Sequence, residues 1–462
     1  MSSDPYLLAE VLAVAKNHPF YVPEVNYPPD ATALKKIKDC ASQEIEKANL
    51  SSQKLLRKKD LYHVIDRLVH DTSVHNTYRQ SCYTSTTGGG SGGTPLFFAT
   101  DIHENRRHRA HFGNFMRVAG IVEDTDWIFT THFGGHLYRS MDLMAELFEN
   151  GGASVLCGGS YMTTAEVAKA LTDYHVNGLT GDSTQIINTV HYISTLSPEE
   201  RDRIRIKKVI YTSEMLTPAQ KTFIETTLGA VKIFSILGSA EAGPWAVSSP
   251  DLTDGQGPER SQDFVYDTRS MLIEIMPISI MESDSYSAPE PIKSGEQGII
   301  VQTSLQRLRN PLVRYITGDI GSLHPLPESA RSTVCGDDWR HFRVLRLYGR
   351  DRRFSFEWDG MYYEFEKLAT VLNAEGCGVL QWQLILDRLE ASLSSTIELR
   401  IFCSSKTSSM MSEKELLRRI NSFFGVFPDN EERLSVTFLS DRKGFVRSNT
   451  GDKIVKFVDR FN

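Results

Sequence analysis

Short apolar runs alternate with amphipathic segments through much of the chain. Strand-like runs occur at Trp127–Thr130, Ala153–Leu156, Asn177–Thr180, Lys208–Tyr211 and Val231–Ile236. Segments with helical spacing separate them, at Leu137–Phe148, Thr164–Tyr174, Thr184–Leu196 and Pro218–Thr227. Strands that alternate with helices indicate a parallel sheet that is covered by helices on both faces. Ligands bind such sheets beyond the carboxyl ends of the strands.

Helical spacing also precedes this region, at Pro5–Lys16, Ala31–Asn49, Lys54–His70 and Glu104–Ile121. Leu61, Ile65 and Leu68 line one face of the third of these predicted helices. The fourth carries His108 and His111, and His103 directly precedes it; we interpret these three histidines as a solvated helix face rather than as a metal-binding set.

The pattern changes after about residue 265. Met271–Ile275 and Gly298–Gln302 indicate strands with no long helix between them, which predicts a β-rich subdomain at about 265–345. Beyond Arg350 the pattern predicts a β-hairpin and then mixed elements, at Phe354–Glu364, Ile397–Ile401, Ser412–Phe424 and Leu434–Leu439.

A chain of 462 residues is too long for one ordinary core. We therefore predict an α/β protein of two domains that are joined by a hinge. The large N-terminal domain, 1–349, has mostly parallel sheets covered by helices together with the β-rich subdomain. The small C-terminal domain, 350–462, is of the α+β class.

The composition is that of a soluble globular protein, with 40% hydrophobic and 24% charged residues. A formal net charge of −7 leaves no basic surplus to neutralise phosphates, so we expect no nucleic-acid partner. No apolar stretch approaches the roughly 20 residues of a membrane helix, so we expect no membrane partner. The 6 cysteines are scattered without a C-x-x-C pair, which favours a reducing cytoplasm over a disulfide scaffold or a zinc site. The state of association is expected to be a monomer or a homodimer.

One stretch, Thr84–Pro95, concentrates glycines and hydroxyl side chains. Glycines let the backbone approach a ligand closely, and successive backbone N–H groups and hydroxyls suit phosphate oxygens. The apolar run Leu96–Ala99 that follows predicts a buried strand that anchors the loop. The stretch lacks the Gly-Lys-Ser/Thr ending of the P-loop hydrolases. Taken alone, it fits a flexible linker as well as a phosphate-binding loop.

Two further stretches follow predicted strands. Gly238–Pro244 contains Glu241, which can hold Mg²⁺ against a triphosphate or can be a surface residue in a tight turn. Arg314–Asp319 contains an aspartate that can accept both hydroxyls of a ribose or can stabilise its own turn.

Two more stretches lie at the predicted boundary and near the end of the chain. Leu347–Arg353 is a candidate hinge or a solvated linker. The segment Arg447–Lys456 contains Lys453, which can bring a point charge to a phosphate or carboxylate, or it is a solvated basic tail.

These five stretches occur in an order that resembles the adenylate-forming superfamily of acyl-CoA synthetases, peptide-synthetase adenylation domains and luciferases. The likeness is greatest to the phenylacetate–CoA ligase branch, and it runs from about residue 18 to the end. The matching segments are Thr94-Pro95 with Thr100–Ile102, Tyr211–Glu214, Asn310–Tyr315 with Thr317–Asp319, and Arg447-Ser448, Lys453 and Val458–Arg460.

The resemblance implies that a carboxylate attacks the α-phosphate of Mg·ATP and that the acyl-adenylate passes its acyl group to coenzyme A. It assigns catalysis to Lys453 and Glu241, metal binding to Glu241 and the hinge to Arg352. The nucleotide-binding residues that it implies are Thr86, Thr87, Ser91, Gly92, Gly93, Thr94, Glu214, Gly238, Ser239, Ala240, Asp319 and Arg350.

The resemblance also places the acid beside an aromatic and glycine-rich segment, at His132, Phe133, Gly134, His136 and Tyr138. Phe133 and Tyr138 would give an apolar or aromatic wall. His132 or His136 either faces the carboxylate or is a core or surface histidine. The sequence departs from the family pattern at Leu96, Leu237, Ala240 and Arg352.

We therefore expect a ligase that joins a small-molecule carboxylic acid, aryl or otherwise apolar, to coenzyme A with ATP and Mg²⁺. One alternative keeps the adenylate and transfers the acyl group to an amine. The other is a degenerate member that binds nucleotide or acyl-adenylate without catalysis.

Overall fold

The computed structural model describes the chain in segments, and each statement below concerns these residues alone: 5–41, 48–84, 97–135, 137–213, 215–216, 218–253, 258, 261–281, 290–334, 336–350, 355–374, 377–389, 394–403, 411–446 and 454–460, without the side chains of 184, 219, 350 and 442. The described residues up to 349 belong to one compact unit. Those from 350 onward belong to a second unit.

The helices lie mainly in the first unit. They are α1 (Leu8–Ala15), α2 (Ala31–Ala41), α3 (Lys58–His70), α4 (Ile102–Val118), α5 (Ser140–Asn150), α6 (Thr164–Asp173), α7 (Ser183–Thr195), α8 (Pro198–Arg201), α9 (Pro218–Leu228), α10 (Phe365–Leu372) and α11 (Glu413–Phe424).

The strands of the first unit are β1 (Cys82–Tyr83), β2 (Thr100–Asp101), β3 (Trp127–Thr130), β4 (Gly134–Gly135), β5 (Tyr138–Arg139), β6 (Ser154–Cys157), β7 (Gly178–Asp182), β8 (Lys208–Thr212), β9 (Lys232–Ser239), β10 (Gly243–Ser248), β11 (Gln262–Asp267), β12 (Met271–Met276), β13 (Gly298–Ser304), β14 (Tyr315–Pro325) and β15 (Phe342–Arg350). Those of the second unit are β16 (Ser355–Trp358), β17 (Met361–Glu364), β18 (Val379–Arg388), β19 (Ser395–Cys403), β20 (Leu434–Phe438) and β21 (Phe457–Asp459).

One sheet of 11 strands organises the described part of the first unit, in the order β12-β13-β14-β15-β11-β10-β9-β8-β7-β3-β6. The strands β6, β3, β7, β8 and β9 are parallel. Their side chains alternate between two cores. Ile128 and Ile210 pack with α4 and α5, whereas Phe129 and Val209 pack with α6, α7 and α9. Burial on both faces explains why these strands are apolar runs in the sequence.

The same sheet continues as antiparallel strands from β9 through β10 and β11 to β15, and from β14 through β13 to β12. Helix α3 covers this half, and Leu61, Ile65 and Leu68 pack with Leu312 and Tyr315 in one core. Each such leucine or isoleucine, fully buried, contributes about 1.5–3 kcal/mol. The β-rich region is therefore an extension of the main sheet.

A two-stranded pairing closes the base of the Gly-rich segment. Strand β1 pairs antiparallel with β2, with Cys82 opposite Asp101 and Tyr83 opposite Thr100. Of the residues between these two strands, 85–96 lie outside the described residues.

The second unit is built around its own core. A sheet in the order β20-β19-β18-β21 pairs β18 antiparallel with β19, and the outer strands β21 and β20 run parallel to their neighbours. The hairpin β16–β17 and helices α10 and α11 pack on it through Phe356, Trp358, Leu368, Ile420 and Phe424. The predicted α/β class with a small α+β C-terminal domain is confirmed.

Two local predictions are wrong. Phe98 and Ala99 are buried as expected, but they lie outside any strand, because pairing with β1 begins at Thr100. The helix expected from Leu137 begins at Ser140 instead. The hairpin of β4 and β5 precedes it, with Gly135 at φ +96° and Leu137 at φ +68°, and such left-handed conformations cannot continue a helix.

Candidate active site

Glu241 lies at the tip of the hairpin that joins β9 to β10. Gly243 pairs with Ser239, and the Ser239 hydroxyl accepts a 3.1 Å hydrogen bond from the backbone N–H of Ala242. Gly243 has φ +73°, and a Cβ at Gly238 would lie 2.9 Å from the Gly243 carbonyl oxygen. Both glycines are therefore required for a turn this tight. The turn leaves the carboxyl edge of β9, where ligands of parallel sheets bind.

The Glu241 side chain is buried, with 5% exposure, and two phenols hold it. Tyr62 of α3 donates a 2.8 Å hydrogen bond to Oε1, and Tyr315 at the start of β14 donates one of 3.1 Å to the same atom. Burial alone would raise the pKa of Glu241, but the charge of Lys58 and the two phenols outweigh it, so the pKa is lowered. The structure therefore contains a buried carboxylate that is ionised at neutral pH.

Lys58 was not among the residues singled out from the sequence. It begins helix α3, and its Nζ lies 5.3 Å from the centroid of the Tyr62 ring. Tyr62 is the residue that bonds Glu241, so the ammonium and the carboxylate both lie close to one tyrosine side chain. Lys58 and Glu241 are separated by more than 180 positions in the sequence, which is why no local pattern reveals the pair.

Asp319 lies in a bulge of β14. Ile299 pairs with Ile320 and Val301 with Ile316, so Thr317, Gly318 and Asp319 together face Ile300. The Thr317 hydroxyl donates to the Ile300 carbonyl oxygen at 3.0 Å and accepts from the Asp319 N–H at 3.0 Å, while Gly318 has φ +81°. Bulges of this kind re-aim side chains next to active sites.

A fully buried arginine lies behind the Glu241 hairpin. Arg307 donates through Nη1 to the Thr100 hydroxyl, and its guanidinium lies 5.0 Å from the centroid of the Phe98 ring. Burial lowers the pKa of Arg307 to about 10, while the charges of Glu104 and Glu241 act to raise it. Arg307 thus bonds β2, which follows the Gly-rich segment, and its charge interacts with that of Glu241.

His108 packs beside this arginine. Its Nε2 donates a 2.8 Å hydrogen bond to the Pro244 carbonyl oxygen, and a Cβ at Gly243 would lie 2.7 Å from its Cε1. Burial lowers the pKa of His108 to about 3. The interpretation of this residue as part of a solvated face is wrong, because the face of α4 that carries it packs under strand β10.

His132, expected near the acid, is buried at the carboxyl end of β3, and burial lowers its pKa to about 3. Its Nδ1 is 3.1 Å from the Thr130 hydroxyl, and its Nε2 is 3.1 Å from the Thr212 hydroxyl. These contacts favour the core-histidine alternative. Thr212 ends β8 and precedes Ser213, which has φ +75°. A left-handed conformation in a residue with a Cβ costs roughly 1–2 kcal/mol.

Aromatic rings cluster beside His132. The Phe133 ring centroid lies 6.1 Å from that of Tyr138 and 5.6 Å from that of Tyr161. Gly134 is closed in by Met141, because a Cβ there would lie 3.0 Å from the methionine Cε. Tyr161 was not anticipated from the sequence, because it follows β6 as an isolated tyrosine in a polar loop.

Many of the expected site residues lie outside the described residues: Thr86, Thr87, Ser91, Gly92, Gly93, Thr94, His136, Glu214, Arg352 and Lys453. Arg350 ends β15, and its backbone alone is described. Their roles stay predictions. The described residues connect the Gly238–Glu241 turn to the strand that carries Asp319, through the hydrogen bond from Tyr315.

The residues at Glu241 fit a magnesium ion that is bound together with a triphosphate. No group of three or more His, Cys, Asp or Glu side chains that could hold a metal occurs within the described segments. Mg²⁺ keeps several waters and is commonly bound by one or two carboxylates plus substrate phosphates. A single ionised carboxylate with phenol donors on one oxygen suits that mode.

Two solved structures are similar in fold. A 2-hydroxyisobutyryl-CoA ligase, in complex with 2-HIB-AMP and CoA, aligns with a TM-score of 0.69 at 16% sequence identity, over 98% of this chain and 88% of that chain. The amide bond synthetase McbA from Marinactinospora thermotolerans aligns with a TM-score of 0.55 at 12% identity, over 98% and 92%.

No protein-family model matches the sequence, and no curated protein matches it. Across the helices that the structure describes, none combines the length and apolar character needed to span a bilayer. The similarity to the two ligases confirms the expected architecture, and the likeness to the phenylacetate–CoA ligase branch stays a prediction. The chain has the fold of the adenylate-forming ligases.

Proposed function

We propose that this protein is an ATP-dependent ligase that converts a carboxylic acid to an acyl-adenylate and transfers the acyl group to coenzyme A. The observation that carries the proposal is the buried, ionised Glu241, bonded by Tyr62 and Tyr315 at the carboxyl edge of the parallel strands. The fold supports it, because a similar structure is a CoA ligase in complex with 2-HIB-AMP and CoA.

The proposed reaction has two steps. A carboxylate oxygen attacks the α-phosphorus of ATP, the bond from that phosphorus to the α,β-bridging oxygen breaks, and pyrophosphate leaves. The thiol of coenzyme A then loses its proton, its sulfur attacks the acyl carbonyl carbon, and AMP leaves. The first step brings two anions together, so its barrier is lowered by positive charge that is already in place.

We assign the residues as follows. The Thr84–Thr94 segment holds the triphosphate, Asp319 and Arg350 hold the ribose, and Glu241 holds Mg²⁺, which screens the phosphates when bound. Lys453 bridges the acid carboxylate and the α-phosphate. Lys58, half-buried beside Tyr62, adds a positive charge on the side of the site where Glu241 lies.

The acid is proposed to be aryl or otherwise apolar. Phe133 and Tyr138 present aromatic rings 6.1 Å apart next to the glycines of β4. Aromatic rings prefer offset or tilted neighbours at such distances, and a flat apolar acid would add one more.

Movement of the small domain is part of the proposal. We place the boundary between 349 and 350, with Arg352 at the hinge, so that rotation withdraws Lys453 before the thiol enters. Closure of this type keeps water from the adenylate. We further propose a cytoplasmic protein that is a monomer or a homodimer.

Acid-dependent ATP–pyrophosphate exchange tests the first step. The purified chain is incubated with Mg·ATP, labelled pyrophosphate and aryl, aliphatic and amino acids in parallel, and we expect exchange with one class of acid. Absence of exchange with every acid, with nucleotide binding retained, would establish the non-catalytic alternative.

The acceptor is tested with the acid found in that screen. Reactions with coenzyme A or with a panel of amines are compared by mass spectrometry, and the thioester is the expected product. An amide without thioester would identify an amide synthetase. That alternative is favoured by the fold of McbA and by Arg352 at a position where the family pattern has Asp.

A further inference from the structure

His132 makes a side-chain link across a strand of the parallel sheet. It follows β3, and its Nε2 bonds the Thr212 hydroxyl at the end of β8, at 3.1 Å. Strand β7 lies between β3 and β8 in the sheet. The imidazole therefore ties together two strand ends that share no backbone hydrogen bond.

Both ring nitrogens of His132 are engaged. Nδ1 bonds the Thr130 hydroxyl at 3.1 Å, and the same hydroxyl accepts from the His132 backbone N–H at 3.3 Å. The side chain is 2% exposed. An imidazole that is held at both nitrogens would have to break a hydrogen bond in order to donate to, or accept from, a substrate.

The two linked ends lead into different parts of the candidate site. The residue after His132 is Phe133, whose ring belongs to the aromatic cluster. The residue after Thr212 is Ser213, held at φ +75°, and Glu214 beyond it is a proposed nucleotide-binding residue. A strained residue persists where its surroundings over-determine it, and the His132–Thr212 bond supplies one such restraint.

We infer that His132 is a positioning residue that acts through Thr212, holding the nucleotide-side turn in register with the acid-side strand. The inference rests on the proposed function. It differs from a role in which the imidazole touches the acid carboxylate. Burial supports it, since an imidazole with its pKa lowered to about 3 carries no charge to offer an anion at neutral pH.

Four variants test the link: His132→Asn, Thr212→Val, their double variant and Thr212→Ser, with the exposed His175→Asn as control. Binding of Mg·ATP is measured by calorimetry, and KM and kcat for pyrophosphate exchange are measured between pH 5.5 and 8.5. Hydrogen exchange of residues 131–135 and 211–216 reports on the two strand ends without any ligand.

We expect His132→Asn and Thr212→Val each to weaken Mg·ATP binding about three- to tenfold, the size of one buried hydrogen bond. Two groups that act through one bond are not additive, so the double variant should be no weaker than either single variant. Thr212→Ser should restore binding, the pH profile should keep its shape, and either single variant should speed exchange in both segments.

A loss of 100-fold or more in kcat for His132→Asn alone, with Thr212→Val unchanged, would overturn the inference in favour of direct contact with substrate. Additive effects, or faster exchange confined to the mutated segment, would also overturn it. Failure of the proposed function is a separate result. If the wild-type chain binds Mg·ATP but catalyses no exchange, the ligase assignment fails, and the binding data still test the His132–Thr212 link. If the wild-type chain binds no nucleotide, both the ligase assignment and the link are overturned.

Discussion

Tyr315 donates a 3.1 Å hydrogen bond to the carboxylate of Glu241, so the first residue of β14 touches the tip of the β9–β10 hairpin. Two positions later β14 bulges to present Gly318 and Asp319. One phenol therefore connects the proposed metal-binding turn to the strand that carries the proposed ribose-binding aspartate.

Replacement of Glu241 by Gln should lower acid-dependent pyrophosphate exchange about 100-fold, because it removes the charged oxygen that we assign to holding Mg²⁺ against the phosphates. The amide oxygen can still accept from Tyr62 and Tyr315, so the fold should survive. Exchange assays over a range of Mg²⁺ concentrations check this, with the exposed Glu296→Gln as the matched control. Equal activity of the two variants would remove Glu241 from the site.

Tyr62→Phe and Tyr315→Phe should move the acid limb of the pH–rate profile to higher pH. Glu241 has a lowered pKa, so it stays ionised as the pH falls until that pKa is reached. Loss of a donor of ~1.5 kcal/mol raises the pKa by about one unit, so protonation and loss of activity begin at higher pH. Tyr174→Phe, at an exposed tyrosine, should leave the profile unchanged. A shift to lower pH would contradict the assignment of Glu241 as the titrating group.

Lys58→Gln should raise the KM for ATP about three- to tenfold with a smaller change in kcat, since a half-buried charge contributes on the order of 1 kcal/mol. The variant should also raise the pKa of Glu241, because the ammonium helps to lower it. Steady-state kinetics at saturating acid, repeated across a range of pH, measure both effects, and the exposed Lys16→Gln serves as the control. An unchanged KM would show that Lys58 supports the carboxylate without meeting the nucleotide.

Lys453→Ala should abolish most adenylate formation and spare acyl transfer from a pre-made acyl-adenylate to coenzyme A. The lysine is assigned to the first step alone, so the ratio of the two half-reaction rates is the measurement. Lys443→Ala, on an exposed turn of the same unit, is the control. Equal loss in both half-reactions would count against the assignment.

Stability should fall steeply below pH 6.5, because buried imidazoles are neutral in the folded state and take up protons on unfolding. His18, His108 and His132 each have a pKa lowered by burial to about 3. Between pH 6.5 and 3 the unfolded state binds the additional protons, so each histidine lowers the free energy of unfolding by up to about 1.4 kcal/mol per pH unit of acidification. His108→Gln should reduce this slope by one proton, as measured by denaturant titrations at several pH values. An unchanged slope would mean that His108 is protonated in the fold.

The parallel strands and their helices could be predicted from the sequence because each has its own period. Ile128 and Phe129 face different cores, and that two-sided burial is visible as an apolar run. Glu241 and Asp319 could be proposed because each lies in a short glycine-containing turn next to a strand. The pattern does not indicate strand β18, since Trp382 and Gln383 fit no simple alternation of apolar and polar residues, although both are buried where β18 pairs with β19.

The partners of the site could not be predicted in the same way. Tyr62 and Tyr315 meet Glu241 from distances of 179 and 74 positions, and Arg307 meets Thr100 across 207. Tyr315 and Thr100 lie in segments that the sequence does mark, but the contacts that they make with Glu241 and Arg307 join parts of the chain that no local pattern connects. His108 is misinterpreted for a different reason. Its neighbours in the sequence are charged, which suggests an exposed residue, but the packing of α4 on the sheet buries it against Pro244.

The pairing of β1 with β2, in which Tyr83 lies opposite Thr100, brings together the two ends between which the Gly-rich segment lies. Because the entropic cost of closing a loop grows by only about 0.6 kcal/mol for each doubling of its length, a change in the number of residues between β1 and β2 should have little effect on the free energy of folding. The composition of this segment is therefore left to the phosphate-binding role that we propose for it, in which backbone N–H groups act together with the hydroxyls.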